Sequence, residues 1–252
     1  MEDLVMAALC GNDRRVRDLL ADGADANQAD GNGWTALSCA ARRGYDGIVE
    51  HLLTAGAEVD RSDTEGLTAL MRAAAAGHVG VAKLLLKAGA NIDHTDAWQR
   101  TALMRAAEHR RVEMVELLVG AGANVNCVDR RGKTALTSAV QGGDRMTVDL
   151  LLKAGANVNH ADTSSWTALI YASAGDGSIL ERLMDANSHG HHVAIDGAAA
   201  LTRASARVLS TSSSWSKPTF AFEPSSAMDS SHRAKPQDSR GIYDHEQQVP
   251  AG

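Results

Sequence analysis

The chain is short of cysteine, proline and aromatic residues, and it has no long apolar run. Its three cysteines among 252 residues, Cys10, Cys39 and Cys127, are odd in number and far apart. That argues against a disulfide framework and for a reducing compartment. All four prolines (Pro218, Pro224, Pro236, Pro250) and both phenylalanines (Phe220, Phe222) fall in the last part of the chain. No run of about 18 or more apolar residues occurs, so no membrane span is expected. The start, Met1-Glu2-Asp3-Leu4-Val5, lacks the basic-then-apolar order of a secretory leader. The net charge of −6 is mild and has the wrong sign for a nucleic-acid-binding domain. The expected setting is the cytoplasm, with the nucleus left open, and neither nucleic acid nor membrane is an expected partner.

What the chain does have is a period. Gly33-Trp34-Thr35-Ala36-Leu37 returns as Gly66-Leu67-Thr68-Ala69-Leu70, and Thr-Ala-Leu returns again at 101–103, 134–136 and 167–169. The threonines are spaced by a constant 33 residues. A strict period of this size predicts stacked supersecondary units that share one continuous core. Composition changes near residue 188. Beyond 187 there are six Lys/Arg and six Asp/Glu, so the charge of −6 resides on residues 1–187. Residues 188–252 read as a low-complexity tail. Most of it is expected to be disordered, because it has little apolar surface to offset chain entropy.

One unit, residues 30–62, shows how the period encodes structure. Thr35 is placed to cap a short helix whose Leu37, Ala40 and Ala41 form one apolar face. Gly44 breaks that helix. A second helix follows with Ile48, Val49, Leu52 and Leu53 inward, and Gly56 ends it as a residue able to take positive φ. A loop then leads to a turn at Asp63-Thr64-Glu65-Gly66. The inward alanine recurs at 40, 73, 106, 139 and 172, the second-helix leucine at 19, 52, 85, 118 and 151, and the terminating glycine at 23, 56, 89, 122 and 155. Residues 1–29 keep both helices but lack the hairpin, as suits a capping unit.

Units of helix, turn, helix and hairpin loop, with G-x-T-x-L-x-x-A and L-L-x-x-G-A-x-V-N signatures, resemble ankyrin repeats. The resemblance covers 1–187 as units 1–29, 30–62, 63–95, 96–128, 129–161 and a degenerate 162–187. It implies an all-α solenoid joined by β-hairpin loops. The Pro and His of the family's T-P-L-H are absent throughout. In unit four Gln99 and Arg110 replace turn glycines. Unit six has Ser165 at the turn, an early Gly175, and Asn187 where the terminating glycine belongs. Residues 198–209 are read as a further short capping helix.

Catalytic and metal chemistry find no support. Gly132-Lys133-Thr134 invites a phosphate-loop reading, but Cys127 stands where that motif needs glycine. His189, His191 and His192 lack partners at ligand spacing. Cys127 has no companion base. The Arg-Arg pairs at 14–15, 42–43, 110–111 and 130–131 read as solvated surface. No cofactor or metal is expected, and the chain reads as non-enzymatic.

The resemblance implies instead that a protein partner binds the concave face made by hairpin tips and first helices. The variable positions there are Asn32, Trp34, Arg42 and Arg43, then Glu65 and Leu67, then Trp98, Arg100, Glu108 and His109, then Arg130, Arg131 and Lys133, and finally Trp166. Exposed Trp and Arg are enriched at binding hot spots. Trp98, Arg100, Arg130, Arg131 and Lys133 should form a basic-aromatic strip on adjacent tips, suited to an acidic or phosphorylated segment. The competing reading folds the tryptophans back on neighbouring hairpins. Some members of the family are hydroxylated on the Asn closing G-A-x-V-N, which points to Asn126 and Asn159. The leading expectation is a monomeric interaction scaffold. The alternative is an adaptor whose array holds one client while the tail, through Phe220-Ala221-Phe222-Glu223-Pro224, recruits a second protein.

Overall fold

Apolar residues spaced three and four apart make helices with one inward face, and here they make twelve among the described residues. The computed structural model describes residues 3–173 and 177–188. The helices are α1 (Leu4–Leu9), α2 (Asp13–Ala21), α3 (Ala36–Arg43), α4 (Asp46–Thr54), α5 (Ala69–Ala76), α6 (Val79–Lys87), α7 (Ala102–Glu108), α8 (Val112–Gly120), α9 (Ala135–Gly142), α10 (Arg145–Lys153), α11 (Ala168–Ser173) and α12 (Gly177–Ser188). No strand occurs among the described residues. The nearest approach is two isolated antiparallel bridges, Ala29 with Thr35 and Ala161 with Thr167. The fold is the expected all-α solenoid. The proposed tail and the 198–209 helix lie outside the described residues.

The repeated threonine does what its chemistry suggests. Thr35, Thr68, Thr101 and Thr134 have extended backbones, and each side chain accepts the N–H three residues on. In α3 and α9 a hydroxyl at that third position, Ser38 or Thr137, reaches back to the cap N–H and closes a capping box. Each first helix packs on the first helices of its neighbours, and each second helix on the second helices of its neighbours. The alanines permit this spacing. Ala40, Ala73, Ala106 and Ala139 are completely buried, and a larger side chain would hold the helices apart. Leu52, Leu85, Leu118 and Leu151 are also completely buried and line one interior. Leu19, at the open end of the stack, is only half-buried.

Two turn positions carry strain. At Gly66, φ is +79°, and a Cβ would come within 2.9 Å of the Ala97 backbone nitrogen. One unit later that position is Gln99, held at φ 62°, and the turn between α7 and α8 holds Arg110 at φ 56°. Ser165 takes φ 62° in the sixth unit. Side chains carrying Cβ resist this region by about 1 kcal/mol. Gln99→Gly and Arg110→Gly should therefore each raise stability by about 1 kcal/mol, nearly additively because the sites lie at opposite ends of α7. Urea midpoints at unchanged slope would check this, and a fall in midpoint would contradict it. Asn187 does not stop its helix, since α12 continues through it to Ser188. Gly175 lies outside the described residues.

Candidate functional site

A second set of periodic residues, which sequence reading passed over, builds the loop tips. Asp30, Asp63, Asp96, Asp129 and Asp162 stand one repeat apart. In every tip the aspartate Oδ1 accepts two backbone N–H groups, two and four residues ahead, at 2.8–2.9 Å. Its own N–H donates to the carbonyl four residues on, as from Asp96 to Arg100 at 3.0 Å. Aspartate suits this task because a short carboxylate can serve its own turn. Successive tips are then tied to one another. Thr64 donates its N–H to the Asn32 carbonyl, Ala97 to Glu65, Arg130 to Trp98 and Thr163 to Arg131, at 2.9–3.1 Å. The tips therefore form one backbone-linked row.

A parallel row runs along the loops leading into the tips. The Asn27 carboxamide accepts from Glu58 N–H at 2.7 Å and donates to the Gly56 carbonyl at 3.2 Å. Asn126 repeats both bonds, to Asn157 at 2.8 Å and Gly155 at 3.2 Å. Asp60 and Asp93 accept the corresponding N–H groups of Asn91 and Asn124. Asn126 is thus an exposed brace between units, and Asn159 is half-buried at the next such position.

The three tip tryptophans have different fates. Trp34 is 8 % exposed, so it is not the exposed contact residue expected of it. The Arg72 guanidinium carbon lies 3.4 Å from its ring centroid and that of Arg42 lies 5.2 Å away. Arg72 in turn pairs with Asp63. Leu67 is likewise buried, at 7 %, because its tip position turns inward against the core. These two residues leave the candidate contact set. Trp166 is half-buried, tilted against Tyr171 with centroids 5.1 Å apart. Trp98 alone of the three is exposed, at 44 %, with the Arg100 guanidinium 4.9 Å from its centroid.

The charged candidates divide in the same way. Arg100 is tied to Asp96 at 3.1 Å and to Glu108 at 3.6 Å, so it and Glu108 largely neutralise each other. Lys133 donates to Gln141 at 3.0 Å. The His109 ring donates through Nδ1 to the Arg105 carbonyl at 2.9 Å, since a carbonyl can only accept. Arg42 and Arg43 are exposed at the end of α3, and Glu65 is half-buried. Arg130 and Arg131 are exposed, and their side chains make no ion pair with any described residue. They sit beside Trp98, because the Arg130 N–H bonds its carbonyl at 2.9 Å.

Beneath the tips lie two charged pairs missing from the expected set. Arg105 Nη2 donates to Asp96 at 2.6 Å, and Arg72 donates to Asp63. Burial pulls both guanidinium groups below the usual arginine range, and the facing carboxylates work against that pull. Each leaves its Nε buried without an acceptor among the described residues. Burial also pushes the Cys39 thiol up to about 11, which makes it an inert core residue at neutral pH. A shallow depression of about 300 Å³ at the turn before α8 is lined by Arg110, Arg111, Glu113 and Met114 among others. No acid–base or nucleophile arrangement converges there. No described helix is long and apolar enough to cross a membrane.

Comparison with known families agrees with this architecture. The model described as ankyrin repeats (3 copies) matches the chain in three overlapping registers, over residues 4–96, 46–129 and 103–196. A search of curated proteins found no match.

Proposed function

The chain belongs to the ankyrin-repeat family, whose repeats are protein–protein interaction modules, and from that premise we propose that it is a non-enzymatic scaffold holding a protein partner against its concave face. The contact strip is the row of tips in units four and five, and the partner presents an acidic or phosphorylated segment. One observation carries this reading. Arg130 and Arg131 stand exposed and unpaired among the described residues, on the tip whose backbone is bonded to that of the exposed Trp98. Arg100, by contrast, is matched by internal carboxylates. Two uncommitted guanidinium groups on an array of net negative charge form a local site for anions. The rigid, backbone-linked tips avoid an ordering cost on binding.

Arg130→Glu/Arg131→Glu should weaken binding of a capped, labelled oligoglutamate peptide about tenfold or more at low ionic strength. Arg14→Glu/Arg15→Glu, on α2 and outside the strip, should change it little. Fluorescence anisotropy of the labelled peptide reads both. Unchanged affinity in the 130/131 variant would remove the basis for the reading.

A further inference from the structure

The position nine residues after each tip aspartate varies along the array: Cys39, Arg72, Arg105, Ser138 and Tyr171. In three units this side chain reaches the second carboxylate oxygen. Arg72 pairs with Asp63, and Arg105 donates to Asp96 Oδ2 at 2.6 Å. The Tyr171 hydroxyl donates to Asp162 Oδ2 at 2.5 Å. Those aspartates are 9 %, 5 % and 7 % exposed. Unit five departs from this pattern. Ser138 is too short to reach across, and its hydroxyl donates to the Thr134 carbonyl at 3.2 Å. Asp129 Oδ1 accepts from Arg131 and Lys133, while Oδ2 accepts from no described residue. Asp129 is correspondingly only half-buried. Asp30, opposite Cys39, is exposed, and no earlier tip walls a slot there among the described residues.

The residue beneath each slot selects what fits. It comes from the preceding tip, 38 residues before the occupant. Trp34 lies against Arg72, and Lys133 lies with its ammonium 5.4 Å from the Tyr171 centroid. In both cases a cation meets an aromatic face. By the same offset, Arg100 is the residue that corresponds, for Ser138, to Trp34 and Lys133. An incoming guanidinium would meet the like charge of Arg130 and Arg131 on the adjoining tip, which no described carboxylate pairs. An aromatic ring would be attracted to Arg100, and a ring carrying a donor would also satisfy Asp129. Tyrosine has both properties, and unit six already uses it in this way.

The geometry points to a tyrosine-binding slot formed by Asp129, Ser138 and Arg100, which takes a tyrosine from the acidic segment bound at the tips. This rests on the acidic-segment reading above. The phenol O–H donates to Asp129 Oδ2, the ring lies against Arg100, and flanking carboxylates meet Arg130 and Arg131. Phosphorylation of that tyrosine removes the donor and sets a dianion against the Asp129 carboxylate, so it would switch binding off.

The test uses the full chain and three capped, labelled glutamate-rich peptides with a central tyrosine, phenylalanine or phosphotyrosine. Anisotropy titration should show the tyrosine peptide binding about tenfold tighter than the phenylalanine peptide, and the phosphotyrosine peptide weakest. Ser138→Tyr should fill the slot from within and abolish the tyrosine preference, while Ser138→Ala keeps it; thermal melts verify that both fold. Equal binding of tyrosine and phenylalanine peptides, or tightest binding of the phosphotyrosine peptide, overturns the slot but leaves the acidic reading standing. Failure of all three to bind overturns the acidic reading and the slot with it. Should Ser138→Tyr not fold, the tyrosine-to-phenylalanine ratio on the native chain decides alone.

Discussion

Asp96→Ala should cost about 3–5 kcal/mol of stability, the amount expected when a buried charge loses its partner. The Asp96 side chain is fully buried and holds four donors. The N–H groups of Trp98 and Arg100 bond Oδ1 at 2.8 Å, and Arg100 Nε and Arg105 Nη2 bond Oδ2 at 3.1 and 2.6 Å. Removing the carboxylate opens the tip and strands Arg105, whose Nε already lacks an acceptor. Asp96→Asn separates the two effects. It keeps the oxygen that serves the backbone and removes the charge that faces Arg105. Asp96→Asn should therefore also be strongly destabilising, and Arg105→Met added to it should recover part of the loss, because an apolar chain tolerates the dry site. Urea denaturation of the four proteins measures this. An Asp96→Asn variant as stable as the native chain would show that the buried pair does not matter.

Leu118→Ala should cost about 2–5 kcal/mol, from lost apolar transfer and the cavity left behind. Leu118 is completely buried in α8 and lies in line with Leu85 and Leu151. Each unit buries its face only against its neighbours, so a cavity in the fourth unit weakens two interfaces at once. Met146→Ala is the matched control. Met146 is 61 % exposed on α10, and its truncation should stay within about 0.5 kcal/mol. Calorimetric melts should separate the two variants by many degrees. If they melt together, the leucine line is not the core of the array.

These expectations differ in how visible they are without coordinates. Leu118 is plain in the sequence, because a 33-residue step repeats an apolar side chain at a helical position. Asp96 is equally periodic, yet its role was missed: an aspartate before a turn reads as solvated loop until its oxygens are seen to face inward. The pairing of Asp96 with Arg105 was harder still, since it joins a loop tip to the middle of the next helix. Trp34 and Trp98 both flank turn positions, but they differ in register: Trp34 aligns with Leu67, and Trp98 with Glu65. Arg72 from the following unit covers Trp34, whereas Trp98, two register positions earlier in its tip, stays exposed.

The sequence alone determined the repeat, the helix pairs, the threonine caps and the interior leucines. Each of these depends on a residue's own conformational preference or on apolar spacing within one unit, and a period records both. Only the tertiary structure decided which tip side chains are exposed and which are roofed over, which charges are already matched, and that one Asp129 oxygen accepts from no described residue. Those outcomes depend on side chains nine positions apart meeting between tip and helix and on side chains 38 positions apart meeting across neighbouring units, and no apolar period encodes whether the residue that arrives is an arginine, a tyrosine or a serine too short to reach.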